Sequence, residues 1–104
     1  MVVVRVHIDA EHELNAVAEW YDAQRAGLGD KFLSAYGHIL DTLEMAPQQG
    51  APTIPFEHQQ DAIRKLPFRR FPYDVVYAHD ASSVLIVAIA HHRQLPGYWL
   101  KRLG

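Results

Sequence analysis

The sequence contains no cysteine, which excludes a disulfide framework, a thiol nucleophile and a cysteine-based zinc site. Its longest apolar run, Val84 to Ala90, is far shorter than the roughly 20 residues that a membrane-spanning helix needs. The first residues also lack the apolar core of a signal peptide. These absences argue against a membrane partner, and we predict a cytoplasmic location.

Several motifs of catalytic and metal chemistry are absent as well. The chain has no phosphate-binding glycine loop, no Ser/His/Asp arrangement and no HxH or HExxH pattern. His91 and His92 are adjacent, but neighbouring residues of a strand point to opposite faces and are poor ligands for one metal. We therefore predict no metal site and no cofactor.

The composition is that of an ordinary globular domain. Of the 104 residues, 49% are hydrophobic and 21% are charged, a balance that supports a packed core and argues against disorder. The length fits one core. We predict a single domain over residues 1–104.

Charge is unevenly distributed, although the net charge is only −2. Residues 1–57 carry three basic and nine acidic residues, a net of −6, whereas residues 58–104 carry seven and three, a net of +4. The basic half either offers a surface to nucleic acid or an acidic protein, or it pairs with the acidic helices of the same chain. The sequence leaves both interpretations open.

The first half predicts one strand and two helices. Val2–Ile8 is β-branched and leads to Asp9, a suitable helix N-cap. Apolar residues at helical spacing then indicate two helices, joined by a short link at Gly27 and ended by Pro47. The predicted helical core residues are Leu14, Val17, Ala18, Trp20, Tyr21, Leu28, Phe32, Tyr36, Ile39, Leu40 and Leu43.

The second half predicts a three-strand meander. Gln48–Gln60 has no period and is predicted to be a loop. The predicted strands are Ala62–Leu66, Tyr73–His79 and Val84–His91, followed by a tail with a short helical turn. The fold class is α+β: an N-terminal strand and an antiparallel helical hairpin packed on one face of a small antiparallel sheet (β-α-α-β-β-β).

Alternation in the last strand assigns its residues to two faces. Leu85, Val87 and Ile89 are predicted to lie under the helices. The opposite face would carry Val84, Ile86, Ala88 and Ala90. No other predicted element covers that second face, so we expect a partner protein or a second copy to bind there or along the adjacent edge.

The order and spacing of several short motifs resemble the RelE/ParE superfamily, the toxins of type II toxin–antitoxin modules. The motifs run from Glu19-Trp20-Tyr21-Asp22 through Gly27-Leu28-Gly29 and Phe32-Leu33 to Phe71-Pro72-Tyr73 with Val75-Val76-Tyr77, and end with Ala90-His91-His92-Arg93, Pro96 and Tyr98-Trp99. The resemblance covers nearly the whole chain and is greatest to ParE-like, plasmid-stabilisation members. It implies a growth-inhibiting toxin neutralised by a cognate antitoxin, in a homodimer or a heterotetramer with that antitoxin.

The superfamily uses one fold against different targets. We predict a ParE-like inhibitor that binds DNA gyrase. The alternative is a RelE-like endoribonuclease that cleaves mRNA on the ribosome, and a third interpretation is an inactive relative that serves as an interaction module. The RelE-type pattern has an arginine at the position that Asp74 occupies here, and a carboxylate repels phosphate, which favours binding over cleavage.

Candidate site residues follow from the resemblance and from the basic half. The candidate target-binding residues are Arg69, Arg70, His92, Arg93 and Tyr98. If the protein is a nuclease, His92 and Tyr98 are the candidate catalytic residues, because both side chains can transfer protons. The candidate antitoxin-binding residues are Val84, Ile86, Ala88 and Ala90.

Overall fold

The structure, a computed structural model, describes residues 2–53 and 62–103 and confirms the α+β class. In chain order the elements are β1 (Val3–Val6), α1 (Ile8–Gln24), α2 (Leu28–Met45), β2 (Ala51–Pro52), β3 (Ala62–Pro67), β4 (Tyr73–His79) and β5 (Ser83–His91), with short 3-10 helices at Pro47–Gln49 and Leu100–Leu103. Positions 54–60 of the predicted loop lie outside the described residues. Among the helices described, none has the length and apolar character needed to cross a membrane.

The five strands form one sheet in the order β1-β5-β4-β3-β2. β1 runs parallel to β5, and all other pairs are antiparallel. β1 is shorter than predicted because His7, rather than Asp9, caps α1: the His7 Nδ1 accepts a hydrogen bond from the Asp9 amide at 3.0 Å. Asp9 therefore lies in the first helical turn, where its negative charge interacts favourably with the positive end of the helix dipole.

The two helices cross closely at Gly29. The Gly29 amide donates to the Asp22 carboxylate at 2.7 Å, and a Cβ at this position would collide with the backbone carbonyl of Ala18. Gly27 precedes α2 with a φ of 89°, a conformation that glycine adopts without steric cost. The short link of the sequence thus becomes a tight antiparallel hairpin.

A first core lies between the hairpin and one face of the sheet. The predicted residues Leu14, Phe32, Tyr36 and Leu43 are buried in it, and Val17, Tyr21 and Leu40 pack against it. Val75 and Tyr77 of β4 face the same core, with Tyr73 at its margin.

The prediction that Trp20 belongs to this core is wrong. Trp20 is 57% exposed, and its ring contacts Tyr21 edge-on at 5.1 Å between ring centroids. Trp20 lies next to the apolar stripe of α1 rather than on it, and one residue on a helix is a rotation of about 100°.

The predicted alternation of β5 is partly wrong because the strand contains a β-bulge. Val76 pairs with Ala88 and Tyr77 pairs with Ile86, so Val87 is the extra residue. A one-residue bulge reverses the faces of all residues on one side of it. Val84, Ile86 and Ile89 therefore face the helices, whereas Leu85, Val87, Ala88 and Ala90 lie on the opposite face.

The chain itself covers that opposite face, contrary to the prediction. Trp99 is only 3% exposed and packs with Ile63, Val76, Val87 and Ala88 in a second core. Tyr98, Leu100 and Leu103 extend this cover. Trp99 therefore packs the tail against the sheet. Of the candidate antitoxin-binding residues, Val84, Ile86 and Ala88 are fully buried and Ala90 is half-buried.

Replacement of Leu43 by alanine tests the first core. Leu43 is fully buried, so Leu43→Ala should lower the free energy of unfolding by about 2–5 kcal/mol. Leu33 lies on the same helix and is 39% exposed, so Leu33→Ala should cost less than about 1 kcal/mol. Denaturant unfolding of both variants provides the comparison, and equal losses would contradict this packing.

Candidate functional site

The basic residues predicted to contact a target meet at one end of the sheet. Arg69 and Arg70 lie in the turn between β3 and β4, and His92 and Arg93 directly follow β5. The two segments touch, because the His92 amide donates to the Pro72 carbonyl at 2.9 Å. Four of the five predicted residues are thus exposed at the same end of the molecule.

The turn that carries the two arginines is locally strained. Arg70 has a φ of 72°, the left-handed region that side chains other than glycine rarely adopt. Such outliers persist where the surrounding structure imposes them, and they are enriched at functional sites. The Arg70 side chain is exposed.

His92 and Asp74 form the one carboxylate–imidazole contact at this end among the described residues. The His92 Nε2 lies 3.2 Å from the Asp74 Oδ1. The pair borders an open groove of about 620 Å³ that Lys65 also lines. A carboxylate can orient an imidazole for proton transfer, but it also opposes the approach of a phosphate to the same ring.

His91 and His92 do not face a common point. The His91 Nδ1 accepts from the Arg93 amide at 3.0 Å, and its ring lies edge-on to Tyr73 at 4.9 Å between centroids. His92 instead contacts Asp74. In residues 2–53 and 62–103, no three histidine or acidic side chains are grouped as metal ligands.

Tyr98, the fifth predicted residue, belongs to a different cluster. Its hydroxyl donates to the Glu13 Oε2 at 2.8 Å, and its ring lies under the Arg102 guanidinium, 5.2 Å from the Cζ. Burial and the Glu13 carboxylate raise the Tyr98 pKa well above its ordinary value. The structure thus holds Tyr98 as a protonated hydrogen-bond donor to Glu13 and does not bring it together with His92.

Glu13 and Arg102 are structural residues that the sequence analysis missed. Arg102 donates to both oxygens of Glu13 at 2.9 Å and to the Val87 carbonyl at 3.0 Å. Glu13 in turn accepts from the Ile89 amide at 3.0 Å. We call Glu13, Tyr98 and Arg102 the Glu13 cluster. Glu13 is 85 positions from Tyr98 and 89 from Arg102, and at such separations the pattern of a sequence does not indicate which residues are in contact.

The basic end of the sheet is larger than predicted, because Arg25 and Lys31 join it from the helical hairpin. With Arg69 and Arg70 they line an open groove of about 600 Å³. None of these four cations forms an ion pair with another described residue. Within the basic half, Arg102 pairs with acids of α1, whereas Arg69 and Arg70 face solvent.

Comparison with known proteins agrees with the fold. The family model described as "ParE toxin of type II toxin-antitoxin system, parDE" matches residues 4–96. A solved structure described as a chromosomal ParDE TA system from P. aeruginosa is similar in fold, with a TM-score of 0.63 and 21% sequence identity, over 88% of this chain and 96% of that one. No curated protein sequence is a significant match.

Replacement of Arg102 tests the Glu13 cluster. The pair is mostly shielded, with 11% and 22% of the two side chains exposed, so Arg102→Ala should cost about 1–3 kcal/mol, between an exposed and a buried ion pair. The neighbouring Lys101 is exposed, and Lys101→Ala should change stability by less than about 0.5 kcal/mol. Thermal or denaturant unfolding measures both, and equal stabilities would mean that the cluster contributes nothing.

Proposed function

The chain belongs to the ParE toxin family of type II toxin–antitoxin systems, and from this premise we propose that it inhibits growth by binding DNA gyrase and is neutralised by a cognate antitoxin. The contact with gyrase would use the exposed end of the sheet that carries Arg69, Arg70, His92 and Arg93. The toxin would act in the cytoplasm, where its target is found.

The observation that carries this proposal is the state of the basic side chains. Arg69, Arg70 and Arg93 are exposed, and none is engaged in an ion pair with the described part of the chain. Arginine is enriched where proteins bind other proteins, because its planar guanidinium makes several hydrogen bonds and stacks on apolar surface. An inhibitor that acts by binding needs such a surface and no assembled catalytic group.

The second candidate is a ribosome-dependent endoribonuclease, and one contact favours it. The His92–Asp74 pair beside Lys65 could accept a proton from a ribose hydroxyl while the lysine contacts phosphate. Two features oppose it. The Asp74 carboxylate repels phosphate next to the proposed base, and Tyr98 is held by Glu13 and is therefore not free to protonate the leaving oxygen.

The antitoxin requires a new location, since the face first proposed for it is covered. We place it along the free edge of β1. Val3 is 60% exposed and Val6 37%, and in the part of the chain that the structure describes β1 pairs with a strand only on its β5 side. An added strand could satisfy the outward backbone groups of β1 and cover these side chains, a common mode of peptide binding.

Removal of single charges tests the target surface. Arg93→Ala should raise the concentration needed for half-inhibition of gyrase supercoiling about tenfold, the usual effect of losing an interface arginine. His92→Ala and Tyr98→Phe should have smaller effects, and Lys101→Ala, which removes an exposed charge elsewhere, should have none.

The same variants distinguish the nuclease. Cleavage of ribosome-bound mRNA that His92→Ala slows by about 10²–10⁴-fold would support catalysis instead. Full inhibition of growth by the folded Arg69/Arg93/His92 triple alanine variant would show that the target surface is elsewhere. Absence of both activities in the folded wild-type chain would indicate an inactive relative.

Hydrogen exchange tests the antitoxin site. The amides of Val3 and His7 bond to β5, so those of Val4 and Val6 point to the open edge. Addition of the antitoxin should slow exchange at Val4 and Val6 by more than about tenfold. The α1–α2 turn around Gly27 serves as the control and should be unchanged. If Val4 and Val6 exchange at the same rates with and without the antitoxin, β1 is not the docking edge.

A further inference from the structure

The groove between α2 and the β3–β4 turn continues beyond its basic end. Next to the part lined by Arg25, Lys31, Arg69 and Arg70 lies a second cavity of about 280 Å³. The two share Ala35, His38 and Arg69, so they form one surface. We call this whole surface the α2 groove. It follows α2 from Leu28 to Thr42, about 21 Å at the rise of a helix.

The floor and the rim of the α2 groove differ in chemistry. The floor is apolar, and all of its side chains but one are aliphatic. Its residues are Leu28, Ala35, Ile39, Leu66 and the aromatic Phe71. The rim is exposed and mainly basic; its residues are Arg25, Lys31, His38, Arg69 and Arg70, with Asp30 as the one acid among the described residues that line the groove. A ligand that matches both must be apolar on one side and negatively charged on the other.

We infer that the α2 groove binds an acidic, amphipathic peptide segment, with its apolar side chains on the floor and its carboxylates against the rim arginines. Arg69 and Arg70 belong both to this groove and to the proposed target surface. The identification of the segment as part of the target therefore rests on the proposed function. Arginine binds a carboxylate through two parallel hydrogen bonds, which gives a preference for glutamate or aspartate over an amide.

A nucleic acid fits the groove less well. Its bases would need aromatic faces for stacking, and the floor offers aliphatic side chains and one half-buried phenylalanine. A long polyanion would extend beyond the groove and be repelled by the acidic residues of the helices, in a chain whose net charge is −2. A short segment is confined to the groove and avoids that repulsion.

The lack of cysteine allows a direct measurement. Ser34 lines the groove and is exposed, so Ser34→Cys provides a unique attachment point for an environment-sensitive fluorophore. Ala81 is exposed in the β4–β5 turn, at the other end of the sheet, and Ala81→Cys is the matched control. The probe is a synthetic helical peptide of about 16 residues with leucine on one face and glutamate on the other, at about 20 mM salt.

We expect saturable binding that the label at position 34 reports and the label at position 81 does not. Exchange of the glutamates for glutamine should weaken binding about tenfold or more, as should the Arg69→Gln/Arg70→Gly variant of the labelled chain. Glycine suits the left-handed backbone at position 70, so this variant should stay folded. Lys101→Gln should leave the affinity within about twofold.

Three results would overturn the inference: no signal at position 34, equal binding of the glutamine peptide, or tighter binding of a duplex DNA of similar length that displaces the peptide. The gyrase assay is independent of these. A chain that inhibits gyrase but does not bind the peptide refutes the groove inference alone. A chain that binds the peptide but does not inhibit gyrase refutes the proposed target and leaves the groove supported.

Discussion

The carboxylate of Glu13 is the group on which the arrangement of both cores depends. It accepts hydrogen bonds from the Ile89 amide, the Tyr98 hydroxyl and the Arg102 guanidinium, all within 2.8–3.0 Å. One side chain of α1 therefore fixes the edge of β5 and the C-terminal segment at the same point. Loss of the acceptor would leave shielded donors without a partner, at a cost of about 1–3 kcal/mol each.

The Glu13 cluster also explains how the sheet tolerates a bulge at its centre. β1 ends at Val6, so within residues 2–53 and 62–103 the part of β5 after Ile86 has no strand beside it on that side. The backbone groups exposed there, the Val87 carbonyl and the Ile89 amide, bond to Arg102 and Glu13 instead. Side chains thus replace a strand, and the same contacts hold Trp99 over the second face of the sheet.

The sequence predicts those features that depend on local pattern. The helical hairpin and the strand at Tyr73–His79 follow from apolar spacing over a few residues. The faces of β5 do not, because a bulge adds one residue without any mark in an apolar run such as Val84 to Ala90. The Glu13 cluster cannot be predicted from local pattern either, because Glu13 is far from Tyr98 and Arg102 in the chain. Arg25 and Lys31 escaped the candidate site for the same reason, since only the folded hairpin brings them beside Arg69.

The charged residues of this chain fall into two groups with different consequences. Arg102 is shielded and paired with Glu13, so its charge contributes to folding and is not available to a partner. The arginines of the β3–β4 turn and of the end of β5 are solvated, and solvated charges change stability little. The strained backbone at Arg70 also indicates that this residue does not serve stability, because the left-handed conformation of an arginine costs free energy and improves the packing of neither core. The residues that stabilise the fold and those of the proposed target surface are therefore different ones, and such a separation lets the proposed surface vary while the fold is kept.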